Sequence, residues 1–356
     1  MTIPEKRKVA VVTGPTGGHF FPGLAIGEQF CKNGKTDVCF FVPSRDYIRS
    51  WLEKKGFRYF IIPPCRISLK DFLSPLRFCY AFFKAFAQIS SGKFDVVFIT
   101  GSYATVPYLL AARLKGIKTV VHEQNCRMGK VTSLSRYIAD RIAITFPCFK
   151  GYPKRKTVVT GFPLISDFTC QLPRKQVAEE FGFSHERLTV LVFGGSQGSD
   201  FLNRLICDNA RYLSSLDLQF IHLTGSCRED LQYIYDSNGL HGKVFRFYYD
   251  MSRLYSMADM VICRGGAGTL AEINAWKIPA IIVPYPYAGA HQKYNAMFFS
   301  ERGCCRVISQ TEENLRNFGR IFSDFIGEKD FMKGRFEDVS IVDKENRTFH
   351  LISELM

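Results

Sequence analysis

Nowhere in its 356 residues does the chain set two of its twelve cysteines as Cys-x-x-Cys, which removes the common zinc and thioredoxin-like centres. The phosphate-loop pattern G-x-x-x-x-G-K-[ST] is missing too, so a P-loop nucleotide hydrolase is excluded. No Asp-x-Asp occurs, and with it goes the obvious carboxylate pair for a catalytic metal. Long apolar runs are lacking: the uncharged stretch Val96–Ala112, 17 residues, is broken by Gly101, Ser102 and Pro107, which does not suit a membrane span. The opening "MTIPEKRKVAVV" holds a four-residue apolar run, short of a secretory core. Reduced thiols in a cytosol are therefore expected.

What is present is a globular composition, 46% hydrophobic and 22% charged, in a chain long enough for two domains. Its charge is lopsided. Residues 1–165 carry 26 Lys and Arg against 9 Asp and Glu, a balance of +17, whereas residues 166–356 carry 21 against 24, or −3. One domain should therefore face a polyanion, either nucleic acid or an anionic membrane surface. No zinc spacing, RNP motif or Arg-rich helix accompanies the charge, so nucleic acid is not expected.

Four segments share one plan of β-branched apolar run, small-residue loop and helical pattern: "KVAVVTGPTGGH", "DVVFITGSYAT", "TVLVFGGSQGS" and "DMVICRGGAGTLAEI". Apolar runs continuous over four or five residues predict parallel strands buried on both faces. Repetition of the unit predicts an α/β fold of two Rossmann-like, doubly wound domains, with strand carboxyl ends facing a cleft between them. The expected boundaries are 1–162, 163–335 and a tail, 336–356, that could return to the first domain. The hinge falls near Gly161–Ile165.

A glycine loop that opens a helix offers unpaired amides and the positive end of the helix dipole, hence an anion site. Several such loops, from both halves, point to a diphosphate. A dinucleotide fits poorly, because Gly14-Pro15-Thr16-Gly17-Gly18-His19 is not G-x-G-x-x-G and the run "DVCFFVPS" ends without a carboxylate.

Taken together, "GPTGGHFFPGLAIGEQF", "HEQN" (122–125), "FGGSQGS" (193–199) and "CRGGAGTLAEI" followed by "PAIIVPYPYAGAHQKYNA" resemble the bacterial MurG family. The matches run in the family's order from Gly14 to Ala296. The resemblance implies a GT-B glycosyltransferase fold and inverting transfer of N-acetylglucosamine from UDP-GlcNAc to the MurNAc 4-hydroxyl of lipid I, giving lipid II. It also implies a peripheral place on the cytoplasmic face of the bacterial inner membrane. UDP-GlcNAc, lipid I and the anionic membrane surface are the implied partners, and no cofactor or bound metal is expected.

Inverting transfer needs a base for the attacking hydroxyl and donors for the charge growing on the leaving diphosphate. His19 sits at a loop–helix junction in the acceptor half, and a near-neutral imidazole suits the first task. It is read as base or acceptor-orienting group, against the plainer reading of a loop cap. Glu123 is the reserve, although a structural carboxylate bonded to loop amides explains it better. Thr16, Gly17 and Gly18 belong to the same acceptor loop. Tyr103 and Asn125 match family positions that position sugar hydroxyls.

In the other half, Gly195, Ser196, Gln197 and Gly198 form one donor loop, and Ala267, Gly268, Thr269 and Leu270 a second. By resemblance Glu272 takes the ribose hydroxyls, Gln292 contacts the sugar and Tyr248 lies at the uracil. One departure stands out. The family's hinge pattern Gly-Asn-Pro-x-Arg reads Gly161-Phe162-Pro163-Leu164-Ile165 here, so a charge-assisted donor contact worth about 1.5–3 kcal/mol is missing or supplied elsewhere. Arg264 is the expected substitute.

The basic half has one further feature, "RISLKDFLSPLRFCYAFFKAFAQISSGK". Ser74-Pro75 reads as a helix start. One stripe is Leu76, Tyr80, Phe83 and Ala87; a second is Phe78, Phe82, Phe86 and Ile89. Such a helix has aromatics left over beyond one buried face, and Lys70, Phe72, Arg77, Phe82 and Phe86 are the expected membrane contacts. Two rivals share the donor chemistry: a glycosyltransferase with another glycolipid acceptor, and a non-hydrolysing UDP-GlcNAc epimerase, which needs no acceptor.

Overall fold

The structure is a computed structural model describing residues 6–65, 71–195, 197–227, 229–287 and 290–356. It divides into two compact units, Met1–Ile165 with Ile341–Met356, and Ser166–Ser340.

Unit 1 is built on seven parallel strands: β1 (Arg7–Val12), β2 (Thr36–Val42), β3 (Arg58–Ile61), β4 (Val96–Ile99), β5 (Lys118–Glu123), β6 (Arg141–Ile144) and β7 (Thr157–Val159), in the order β3-β2-β1-β4-β5-β6-β7. Val9–Val12 and Val96–Ile99 are wholly buried, as strands covered on both faces must be. Helices close the faces. Gly17–Asn33 packs hard on the sheet, and a Cβ at Gly23 would meet Thr13 Cγ2 at 2.6 Å.

Unit 2 repeats the plan with β8 (Leu188–Phe193), β9 (Leu218–Leu223), β10 (Gly242–Phe245), β11 (Met260–Cys263), β12 (Ala280–Ile282) and β13 (Cys305–Val307), in the order β10-β9-β8-β11-β12-β13, all parallel. In both sheets the order reverses beside the first strand, the switch point at which doubly wound folds bind ligands.

The unit boundaries lie a few residues beyond those expected at 162/163 and 335/336. Phe162 and Ile165 are buried in unit 1, while Phe336 and Val339 are buried in unit 2, where Asn274 Nδ2 donates to the Val339 carbonyl. Burial, not composition, sets the break. The tail packs within unit 1: the rings of Phe349 and Phe30 lie 4.6 Å apart, and Gln29 Nε2 donates to Asn346 Oδ1.

Candidate active site

In unit 1, β1 runs into a loop that ends at Thr16, the N-cap of the helix Gly17–Asn33. The threonine hydroxyl does not cap the helix amides. It lies 2.7 Å from His19 Nδ1 instead. With Nδ1–H donating to that oxygen, Nε2 keeps its lone pair, the tautomer a proton acceptor needs. Gly14 makes the fit possible, since a Cβ there would meet Ser102 Cβ at 2.8 Å and the His19 ring at 3.0 Å. Tyr47 donates to the Pro15 carbonyl and holds the loop from its flank. No side chain caps this helix start, and a Cβ on Gly18 would have nothing within 4 Å; the first amides of a helix that starts this way have no partner within the helix and suit an anion.

Glu123 closes β5 and is buried. Its Oε1 accepts from the N–H and the side-chain amide of Asn125, and its Oε2 accepts from Gly129 N–H and the Thr132 hydroxyl. Four donors occupy both oxygens. This carboxylate anchors the loop 124–129, the structural part the sequence favoured for it; His19 is the base candidate of unit 1. Tyr103 begins a short 3-10 turn just after Gly101, whose φ of +63° favours glycine, and is 39% exposed. His122, fully buried, bonds through Nε2 to the Gly161 carbonyl, and burial pushes its pKa down; the hinge is thereby tied to β5.

In unit 2 the first loop follows β8. Gly195 and Gly198 have φ of +83° and +76°, and Ser199 caps the helix Asp200–Cys207 by accepting from Leu202 N–H. Ser196 lies outside the described residues; Gln197 is exposed. A Cβ on Gly198 would sit 2.4 Å from the Thr224 carbonyl oxygen and one on Gly225 2.3 Å from Gly198 Cα, so two bare backbones meet here, in an antiparallel bridge. Beneath them runs a buried relay that sequence reasoning missed. Tyr235 donates to His222 Nδ1, His222 Nε2–H donates to Asn203 Oδ1, and Asn203 Nδ2 donates to the Thr224 carbonyl. Burial lowers the His222 pKa to about 3, which keeps the ring neutral, and the acceptor Asn203 Oδ1 sets its one proton on Nε2.

The second loop follows β11. Gly266 is the N-cap of the helix Ala267–Trp276, no side chain caps it, and the amides of Ala267, Gly268 and Thr269 head the helix. Leu270 is buried one turn in. Glu272 is half-buried, but its carboxyl is enclosed. Burial raises its pKa to about 7, against the opposing effect of Tyr255, whose hydroxyl donates to Oε2 at 2.6 Å. Tyr255 was not legible from sequence, because only the fold brings its helix beside Glu272. Gln292 Oε1 accepts from Tyr285 N–H at 2.9 Å, which leaves its NH2 to act as a donor. Tyr248 packs on Phe181 and Phe245.

Arg264 does not take the role expected of it. It is buried, its guanidinium donates to the Val283 carbonyl and to Gln310 Oε1, and those bonds commit it to holding β11 and its neighbours.

The helix Ser74–Gly92 corrects the list of surface aromatics. Phe82 and Phe86 are half-buried and pack against the unit 1 core, with Lys115 Nζ over the Phe86 ring at 4.5 Å. Ala81, Ala85 and Ile89 turn that face inward. The outward stripe is Leu76, Tyr80 and Phe83, 68%, 63% and 69% exposed, and Phe72 before it is 87% exposed. Arg77 is exposed and paired with Asp71; Lys70 lies outside the described residues. Beside the helix a largely apolar groove of about 450 Å3 is lined by Phe78, Phe82, Leu110, Arg113, Leu114, Tyr137 and Ile138. Among the described residues no helix is long and apolar enough to cross a membrane.

Residues 9–144 match the glycosyltransferase family 28 N-terminal domain and residues 189–320 its C-terminal domain. A "UDP-N-acetylglucosamine--N-acetylmuramyl-(pentapeptide) pyrophosphoryl-undecaprenol N-acetylglucosamine transferase" of Halothermothrix orenii is 34% identical over 90% of this chain and 91% of its own; one of Aquifex aeolicus is 35% identical over 85% and 88%. The crystal structure of Acinetobacter baumannii MurG superposes with a TM-score of 0.78, covering 98% of this chain and all of that one at 25% identity. The chain belongs to the MurG family. Within that family its two glycine-loop units make it a GT-B glycosyltransferase. A UDP-N-acetylglucosamine 2-epimerase at 16% identity and TM-score 0.63 shares the fold alone.

Proposed function

We propose that this protein transfers N-acetylglucosamine from UDP-GlcNAc to the MurNAc 4-hydroxyl of lipid I with inversion, forming lipid II. The observation that carries the reading is kinship over nearly the whole chain with transferases named for that reaction. Loop chemistry in each unit supports it. His19 Nε2 takes the proton of the acceptor hydroxyl as its oxygen attacks the anomeric carbon and the bond to UDP breaks. Thr16 holds the imidazole in the accepting tautomer, and the amides of Gly17 and Gly18 suit the acceptor's diphosphate. Tyr103 and Asn125 position its sugar. Negative charge that builds on the departing UDP falls on amides of the loops 195–198 and 267–269. Glu272 accepts the ribose hydroxyls, Gln292 donates to the transferred sugar, and Tyr248 lies by the uracil.

This reading asks no metal to neutralise the leaving group. Transfer should therefore persist in excess EDTA; abolition of activity that added magnesium restores would count against it. Membrane association is part of the same proposal, with Leu76, Tyr80, Phe83 and Phe72 entering the headgroup boundary of the leaflet that carries the acceptor. That places the enzyme peripherally, on the inner membrane's cytoplasmic face.

The deciding experiment incubates the protein with radiolabelled UDP-GlcNAc, with and without a lipid I analogue. Labelled disaccharide-lipid is expected only with the acceptor. Conversion of the sugar nucleotide without acceptor would replace the transferase reading by an epimerase one.

A further inference from the structure

Two cysteines lie on neighbouring loops at the carboxyl ends of β5 and β6 in unit 1. Cys126 belongs to the segment 124–129 that leaves β5, and Cys148 to the segment that leaves the neighbouring parallel strand β6. Their Sγ atoms are 3.0 Å apart, and both residues are half-buried.

The chain around each cysteine is held on both sides. Around Cys126, the Glu123 carboxylate accepts from Asn125 before it and from Gly129 after it. Around Cys148, Phe146 and Tyr152 are buried, Cys148 N–H donates to the Phe146 carbonyl, and Tyr152 N–H to that of Phe149. Segments this well anchored present their thiols to each other without a further ordering cost. A disulfide, whose bond is about 2.05 Å long, needs about 1 Å of sulfur movement. Cys39, Cys65, Cys263 and Cys305 are instead buried in the sheets or beside them.

We propose that Cys126 and Cys148 form a reversible dithiol–disulfide modification site whose oxidation restrains the loop 124–129. The oxidant class is a small-molecule disulfide such as oxidised glutathione. One thiolate attacks it, a protein–glutathione bond forms, and one glutathione thiolate leaves. The second thiolate then attacks the protein sulfur of that bond and expels the second glutathione. The protein loses two electrons and two protons, which end on two glutathione thiols. Because Asn125 directly precedes Cys126, the new bond ties the sugar-contacting side chain to the β6 loop. The effect on catalysis rests on the function proposed above; the bond itself does not.

The test treats the full-length protein with oxidised glutathione, alkylates the remaining thiols and maps the peptides by mass. A Cys126–Cys148 link is expected, together with a several-fold rise in KM for the lipid I analogue, unchanged UDP affinity and full recovery on adding dithiothreitol. Cys148→Ser should keep untreated activity and resist the oxidant. Finding only separate glutathione adducts overturns the site. A mapped link that leaves acceptor KM unchanged, or equal sensitivity of Cys148→Ser, overturns the restraint. Were the untreated protein to make no disaccharide-lipid although the link maps, the functional proposal would fail and the modification site would stand.

Discussion

Burial holds the Glu272 carboxyl up at about 7, and two pH trends of opposite sign follow. For folding, the raised value means stability fully present below the unfolded carboxyl's 4.5 and lost as pH rises to about 7. Glu272→Gln should stabilise the ligand-free protein at pH 8 by up to about 3 kcal/mol and little at pH 4, measured by denaturant unfolding. For binding, ribose hydroxyls donate best to the ionised carboxylate, so UDP affinity should fall by up to about tenfold per pH unit below pH 7, with proton release seen by calorimetry in buffers of different ionisation enthalpy. A flat affinity profile would remove Glu272 from the ribose. His19 gives the complementary case. His19→Ala should lower turnover by about 100- to 10,000-fold and leave UDP binding nearly intact; unchanged turnover would remove it as base. Thr16→Val should lower turnover less, because the imidazole can still reach the accepting tautomer.

The helix Ser74–Gly92 shows how far an element can be read before its surroundings are known. Its start follows from Pro75 in the first turn; the capping hydroxyl expected of Ser74 is not there, because Leu73 is the N-cap and Ser74 is already helical. Its two apolar stripes follow from spacing. Which stripe faces out does not, since both are aromatic, and only packing against the helix Val106–Leu114 and the core decides it. Leu76→Ser with Phe83→Ser should weaken liposome association and leave the melting temperature nearly unchanged. Phe82→Ser with Phe86→Ser should instead destabilise the fold by several kcal/mol; the reverse pattern would sink this assignment of faces. The glycine loops were legible for a related reason: few local sequences besides glycine tolerate positive φ and close backbone approach together, as Gly198 shows. Partners reached only through space, such as Tyr255 for Glu272 and the His222–Asn203 relay, left no local mark.

At the scale of the whole molecule, two parallel sheets were readable because their central strands are buried on both faces and so lose the polar alternation of exposed ones. The +17 and −3 of the two sequence halves were readable as well. That asymmetry predicts liposome binding that depends on anionic lipid and falls steeply as salt rises from 50 to 500 mM, checked by co-sedimentation; binding indifferent to salt would rule out the charged contribution. The unit limits were less legible, because side-chain burial at Ile165 and Val339 fixes them. Since Ile341–Met356 belongs to the same body as the first 165 residues, the second unit is an insertion within the first. During synthesis the inserted body can therefore finish folding while its host still awaits its last helix. A polypeptide released at residue 340 would carry a complete second unit and an open flank along Gly17–Asn33, the helix whose first turn bears the imidazole.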